Sequence, residues 1–153
     1  MADYEFVSLW RIPAPIEAVW EAIFHSERWT TWWSGLERVV ELERGDANCI
    51  GCVRRFTWRG WLPYTLVVDM RVTRVEPPVT LESLATGELE GVGTWQLAGE
   101  DAGTVARYTW NVRTTKPWMN ALAPVARPLF QWNHDAVMRG GEQGLKRLLG
   151  VSA

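Results

Sequence analysis

Cysteine, histidine and long apolar runs are all scarce in this chain of 153 residues, which holds two cysteines and two histidines. Cys49 and Cys52 stand in C-x-x-C spacing, but there is no second cysteine pair to complete a zinc site, and His25 and His134 are the only imidazoles. The pair precedes an expected strand, whereas a redox dithiol opens a helix, so two reduced cysteines are expected, with no metal and no cofactor. No apolar stretch approaches the roughly 20 residues of a membrane span. The opening Met1-Ala2-Asp3-Tyr4-Glu5 lacks the basic-then-apolar pattern of a signal peptide, and a cytoplasmic protein without stable membrane insertion is the expectation. The net charge of -2 and the lack of Lys/Arg clusters argue against a nucleic-acid surface. Internal repeats, low-complexity tracts and linkers are also missing, so residues 1–153 read as one domain, large enough to bury a core without disulfides.

Tryptophan is abundant instead, with 11 residues. Its large stiff ring and single N–H serve packed cores, interfaces and the walls of pockets for flat molecules equally well. Tyr4 to Ile12 alternates as a strand, with Tyr4, Phe6, Ser8, Trp10 and Ile12 on the more aromatic face. Pro13-Ala14-Pro15 ends it, and Ile16, Val19, Trp20, Ile23 and Phe24 then recur on one face of an amphipathic helix. Trp29, Trp32 and Trp33 suit a short second helix before Ser34-Gly35, plugging one end of a sheet.

Strands are predicted over Leu36–Glu43 and Cys52–Trp58, joined by the turn-rich Arg44-Gly45-Asp46-Ala47-Asn48. A further hairpin is predicted at Arg59-Gly60-Trp61-Leu62-Pro63. Tyr64, Leu66, Val68, Met70 and Val72 then alternate with polar residues until Pro77-Pro78, and Val79–Ala85, Leu89–Leu97 and Thr104–Thr115 complete about seven strands, mostly antiparallel. A last helix is expected from about Pro124 to Leu149, with Phe130, His134, Val137, Gly141, Leu145 and Leu148 facing inward and Pro128 causing a kink or late start. The mid-helix glycines Gly140 and Gly141 suggest close approach of sheet or ligand to that backbone.

This order, together with Gly60-x-Leu62-Pro63-Tyr64, Gly87-x-Leu89-x-Gly91-x-Gly93-x-Trp95, Lys116-Pro117-Trp118-Met119 and Asn133-His134, resembles the START/Bet v 1-like (SRPBCC) superfamily in its polyketide cyclase/dehydrase-like branch. The resemblance covers essentially the whole chain. It implies an α+β helix-grip fold, a curved antiparallel sheet wrapped around a long C-terminal helix, with two short helices after the first strand and a cavity between sheet and helix. It further implies a hydrophobic ligand, such as a lipid, sterol, flavonoid or polyketide, and in a minority of members cyclisation or dehydration. No catalytic motif is shared across the superfamily.

If Phe56 and Trp58 face inward, strand parity brings Arg54 in with them, to grip a ligand carboxylate, phenolate or enolate. An internal salt bridge, or reversed parity with Arg55 and Arg59 inside, are the alternatives. His134 is a candidate acid or base, although a histidine on an apolar helix face is more often a hydrogen-bonded core residue. Tyr108, Trp110, Trp95, Tyr64, Met70 and Phe56 are expected as cavity wall, with Trp58, Phe130 and Val137 completing the ligand-binding set. Bulky rings filling the interior are the alternative, but a reduced cavity is expected, because a single sheet around one helix encloses more volume than a helix stripe alone would fill. Three functions follow as expectations: sheltering a lipid-like or aromatic molecule anchored by Arg54 and a tyrosine hydroxyl; cyclase/dehydrase catalysis by Arg54 with His134 or Tyr108; or, resembling the chaperone-activator branch, protein contacts through Trp61 or Trp118. Ligand identity and oligomeric state are not legible.

Overall fold

The computed structural model describes residues 3–59 and 65–151. The expected hairpin at Arg59–Pro63 and the candidate Tyr64 therefore fall wholly or partly outside the described residues. Strand β1 (Asp3–Ile12) buries its even-numbered aromatic face, and Pro15 lets the chain enter α1 (Ile16–Phe24) at once, with Val19, Trp20 and Ile23 buried. The second short helix is a 3₁₀ segment, Ser26–Thr31, which ends before Trp32 and Trp33. Six further strands follow: β2 (Leu36–Glu43), β3 (Val53–Trp58), β4 (Leu66–Glu76), β5 (Thr80–Gly87), β6 (Leu89–Glu100) and β7 (Gly103–Thr114). They form one antiparallel sheet in the order β1-β7-β6-β5-β4-β3-β2, so α1 and the 3₁₀ segment carry the chain from one edge to the other.

Parity along the strands follows the sequence except where the register slips. In β4 a shift between Val72 and Arg74 ends the simple alternation, and both Val72 and Val75 pack against the core. Between β2 and β3 the Asp46 carboxylate accepts hydrogen bonds from the backbone N–H groups of Asn48 (2.8 Å) and Ile50 (2.9 Å), an Asx-type turn that aims Cys49 and Cys52 back toward the sheet.

Helix α2 runs Pro117–Leu148, starting seven residues earlier than the sequence suggested, because Pro117 occupies the first turn where a missing N–H is harmless. Pro124 and Pro128 consequently lie inside the helix. Both are solvent-exposed, so carbonyls deprived of a proline N–H can turn to water. The inward stripe also needs one correction: Leu148 is exposed, whereas Met138 is buried. Leu148 stands five whole turns from Phe130 and so on the same face, but it is the last residue of the helix.

The helix is held by tryptophan. Trp33 Nε1 donates to the Val137 carbonyl at 2.8 Å, and the rings of Trp10 and Trp33 lie over Gly141, where a Cβ would stand 2.5 Å from Trp33 and 2.7 Å from Trp10. At Gly144 a Cβ would run into the Trp32 carbonyl oxygen. The glycines thus serve ring and backbone contact. Gly141→Ala should lower stability by about 1–3 kcal/mol through overpacking, although alanine favours an isolated helix by about 1 kcal/mol. Gly99→Ala, with nothing within 4 Å of the new methyl, should be near neutral in the same urea denaturation series.

Candidate functional site

Two apolar clusters flank the interior. One joins Trp10, Trp29, Trp32, Trp33 and Trp95 to α1 and Leu145; the other joins Tyr4, Phe6, Val68, Ala85, Leu89 and Val112, with Trp110 and Phe130 packed against it. Residues of both line one cavity of about 180 Å³ between sheet and α2. That is smaller than the roughly 300–1,000 Å³ of pockets for drug-sized ligands, but larger than the about 150 Å³ that holds benzene.

The cavity wall includes Arg54, Phe56, Trp58, Met70, Trp95, Tyr108, Trp110, Phe130, His134 and Val137. Sequence parity and the helical stripe therefore bring these ten candidates together. Trp95 stands 4.5 Å from Tyr108, Tyr108 5.9 Å from Trp110, and Phe56 6.4 Å from Trp58, all between ring centroids. Trp29 and Trp33, expected only to plug the sheet, also reach the cavity, as do Tyr4 and Phe6. The even-numbered aromatic face of β1 was the available signal for the latter pair.

Arg54 is turned inward with 12% of its side chain exposed, and it finds protein partners there. Nη1 donates to Ser26 Oγ at 2.9 Å, while Nη2 lies 3.4 Å from carboxylate oxygens of both Glu27 and Glu41. The internal salt bridge left open by the sequence is present, and both ends of the guanidinium fork are engaged. Its Nε is buried without a hydrogen-bond partner. Arg55 instead points outward and pairs with Asp69 at 2.7 Å. Ser26 and Glu27 could not be foreseen as partners, because they lie on a different element from Arg54.

His134 stacks on Phe6 with centroids 4.4 Å apart and rings 16° from parallel. Burial holds its pKa down at about 4, against the opposing pull of the Asp135 carboxylate 3.9 Å from Nδ1, so the imidazole is neutral at pH 7. Nδ1 is buried without a hydrogen-bond partner, as is the Tyr4 hydroxyl. Burial likewise raises the pKa of Tyr108, whose phenol stays protonated and able to donate.

Cys49 and Cys52 are free thiols that also line the cavity. Burial, reinforced by a hydrogen bond with the Cys49 side chain, pushes the Cys52 thiol up to about 12, so it stays protonated at pH 7. Among the described residues no group of three or more His, Cys, Asp or Glu side chains is arranged to hold a metal ion. Nor, among them, is any helix long and apolar enough to cross a membrane.

The antiparallel sheet gripping a long C-terminal helix around an apolar cavity is the Bet v 1-like helix-grip fold. The family described as polyketide cyclase / dehydrase and lipid transport matches residues 6–150, and the chain belongs to it. Among solved structures, TTHA0849 from Thermus thermophilus is 18% identical with a TM-score of 0.75, covering 99% of this chain and 100% of that one. The di-domain ARO/CYC BexL from the BE-7585A biosynthetic pathway is 19% identical with a TM-score of 0.73 over 95% of this chain, which spans 49% of BexL. Ara h 8.0201 is 14% identical with a TM-score of 0.69, covering 97% of this chain and 99% of that one. None of the curated protein sequences compared with the chain is similar enough to match.

The depressed pKa of His134 makes a testable statement about stability. Between about pH 4 and 6.5 the unfolded chain takes up a proton that the folded chain refuses, so this contribution is complete above pH 6.5 and is lost as pH falls toward 4. The shift corresponds to at most about 3 kcal/mol. His134→Phe should flatten the stability–pH curve in that window, measured by denaturation at successive pH values.

Proposed function

We propose that this chain, acting as a single cytoplasmic domain, binds a compact hydrophobic molecule of aromatic or polyketide-like character between the sheet and α2. The observation that carries this reading is an apolar cavity lined by Arg54, His134 and Tyr4, each of which buries one polar atom without a hydrogen-bond partner: Arg54 Nε, His134 Nδ1 and the Tyr4 hydroxyl. Buried polar atoms are costly without partners, and a ligand oxygen or hydroxyl would relieve that cost while the rings supply apolar contact. Because Glu27 and Glu41 already neutralise the guanidinium, Arg54 offers one N–H in place of a two-pronged grip on an anion. A phenol, ketone or quinone suits it better than a carboxylate. The volume fits one or two fused rings, and a long lipid would require the walls to move.

Cyclase or dehydrase chemistry is the second reading, favoured by a neutral imidazole and a protonated Tyr108 phenol on the wall of one cavity. With a pKa of about 4, however, His134 is a weak base, and efficient proton abstraction at neutral pH calls for a pKa closer to 7. Binding therefore comes first. Titration of tryptophan fluorescence with naphthoquinones, flavonoids, anthraquinones and fatty acids, alongside native mass spectrometry of the purified protein, tests it. Saturable quenching by one- or two-ring ligands is expected, abolished when Val137→Trp fills the cavity and weakened about tenfold by Arg54→Met, the scale of one lost polar contact. Absence of a bound mass and of saturable quenching for every class would overturn the proposal.

A further inference from the structure

Neither Cys49 nor Cys52 is among the polar anchors of the cavity, yet the turn that carries them is tightly specified. Cys52 N–H donates to the Cys49 carbonyl at 3.0 Å, closing a four-residue turn whose third residue, Gly51, has the φ of +84° that a type II turn requires there. A turn closed this way holds its first and last Cα atoms within about 7 Å, and a disulfide spans about 4.4–6.8 Å between Cα atoms. Both cysteines line the same cavity, so their side chains lie on one side of the turn. The backbone around them is pinned. Cys49 N–H donates to the Asp46 carbonyl at 3.0 Å, Gly51 N–H to the Val72 carbonyl at 2.8 Å, and Val72 N–H to the Cys52 carbonyl at 2.9 Å. Cys49 is also a poor choice as a mere space-filler. Its φ is +69°, the sole left-handed backbone at a non-glycine among the described residues, where glycine or asparagine would be less strained. Strain of this kind is retained where it positions a reactive group.

We propose that Cys49 and Cys52 form a peroxide-responsive modification site, closing a reversible disulfide within the cavity wall. Cys49 is half-buried and Cys52 fully buried, so the oxidant meets Cys49 first. Peroxide oxidises the Cys49 sulfur to a sulfenic acid and is itself reduced to water. The Cys52 sulfur then displaces the hydroxyl, which takes up the Cys52 proton and leaves as a second water. Each cysteine has given up one hydrogen, and the pair has given two electrons to the peroxide. Glutathione or another thiol reverses the reaction by exchange. The pair precedes β3 and has no helix of its own to stabilise a thiolate, so it records a redox state and does not catalyse exchange. Its state is felt at Arg54. The Cys52 thiol donates across 3.8 Å to Glu41 Oε1, the oxygen that also pairs with the guanidinium, and oxidation withdraws that S–H and leaves the oxygen to Arg54.

Intact-mass spectrometry of the native wild-type chain after treatment with hydrogen peroxide should show the loss of two hydrogens from a single chain, with neither thiol left to alkylate and both restored by dithiothreitol. Dimedone present during the oxidation should label Cys49 in preference to Cys52, read by peptide mapping. Equilibration with glutathione redox buffers should favour the disulfide at least about tenfold more in the native chain than in urea, because the folded turn holds the two sulfurs together. Two alkylatable thiols after peroxide, oxidation of Cys49 onward to sulfinic acid without a disulfide, or a disulfide formed only between chains would overturn the proposal. So would dimedone on Cys52 in place of Cys49, or an equilibrium no more favourable in the native chain than in urea. None of these readouts depends on ligand binding.

Discussion

The seating of α2 on two tryptophan rings is the constraint from which the rest of this structure follows. A sheet with β1 and β2 at its edges encloses nothing until something spans it, and the spanning helix must be set at a defined height. Trp10 and Trp33 set that height by lying against Gly141, and the Trp33 indole anchors it through the Val137 carbonyl. Rings this large cannot be compressed, and glycine permits the closest approach a helix backbone can make. One end of the interior is thereby closed with tryptophan. Beyond it the side chains of helix and sheet leave a cavity of about 180 Å³ between them.

The cavity's chemistry is set by the same enclosure. Low polarity keeps His134 neutral and Tyr108 protonated, and it makes each unpaired donor or acceptor costly. Arg54 tolerates this setting because Ser26, Glu27 and Glu41 surround it, which binds the 3₁₀ segment to β2 and β3 at the cavity's edge. The residue is thus structural at its Nη atoms, and Nε is the buried donor left unpaired. A charged group placed this way favours selective hydrogen bonding over electrostatic capture.

Much of this was legible in the sequence, for reasons that can be traced to particular residues. Strand alternation placed Phe56, Trp58, Tyr108 and Trp110 on the inner face because a period of two leaves no freedom once one residue of a strand is buried. It failed at Val75, where a register shift that no local pattern announces changes the face. The stripe of α2 was readable from Phe130 to Leu145, while the helix start was misplaced because Pro124 and Pro128 look like boundaries unless the exposure of that stretch is known. Arg54 illustrates a harder limit. Its inward direction follows from parity, but Glu41 and Ser26 sit 13 and 28 residues away on separate elements, and only the folded chain shows that both ends of the guanidinium are engaged.

The central claim is that tryptophan packing closes one end of the interior and leaves an apolar cavity at the other. Indole N–H resonances of the nitrogen-15-labelled protein, followed during titration with a naphthoquinone, test it most directly. The account predicts saturable shifts for Trp58, Trp95 and Trp110, which line the cavity, with Trp20 in α1 and Trp132 on the outer face of α2 unmoved. Shifts confined to Trp118 and Trp132, or no shifts with any compact aromatic ligand, would contradict it.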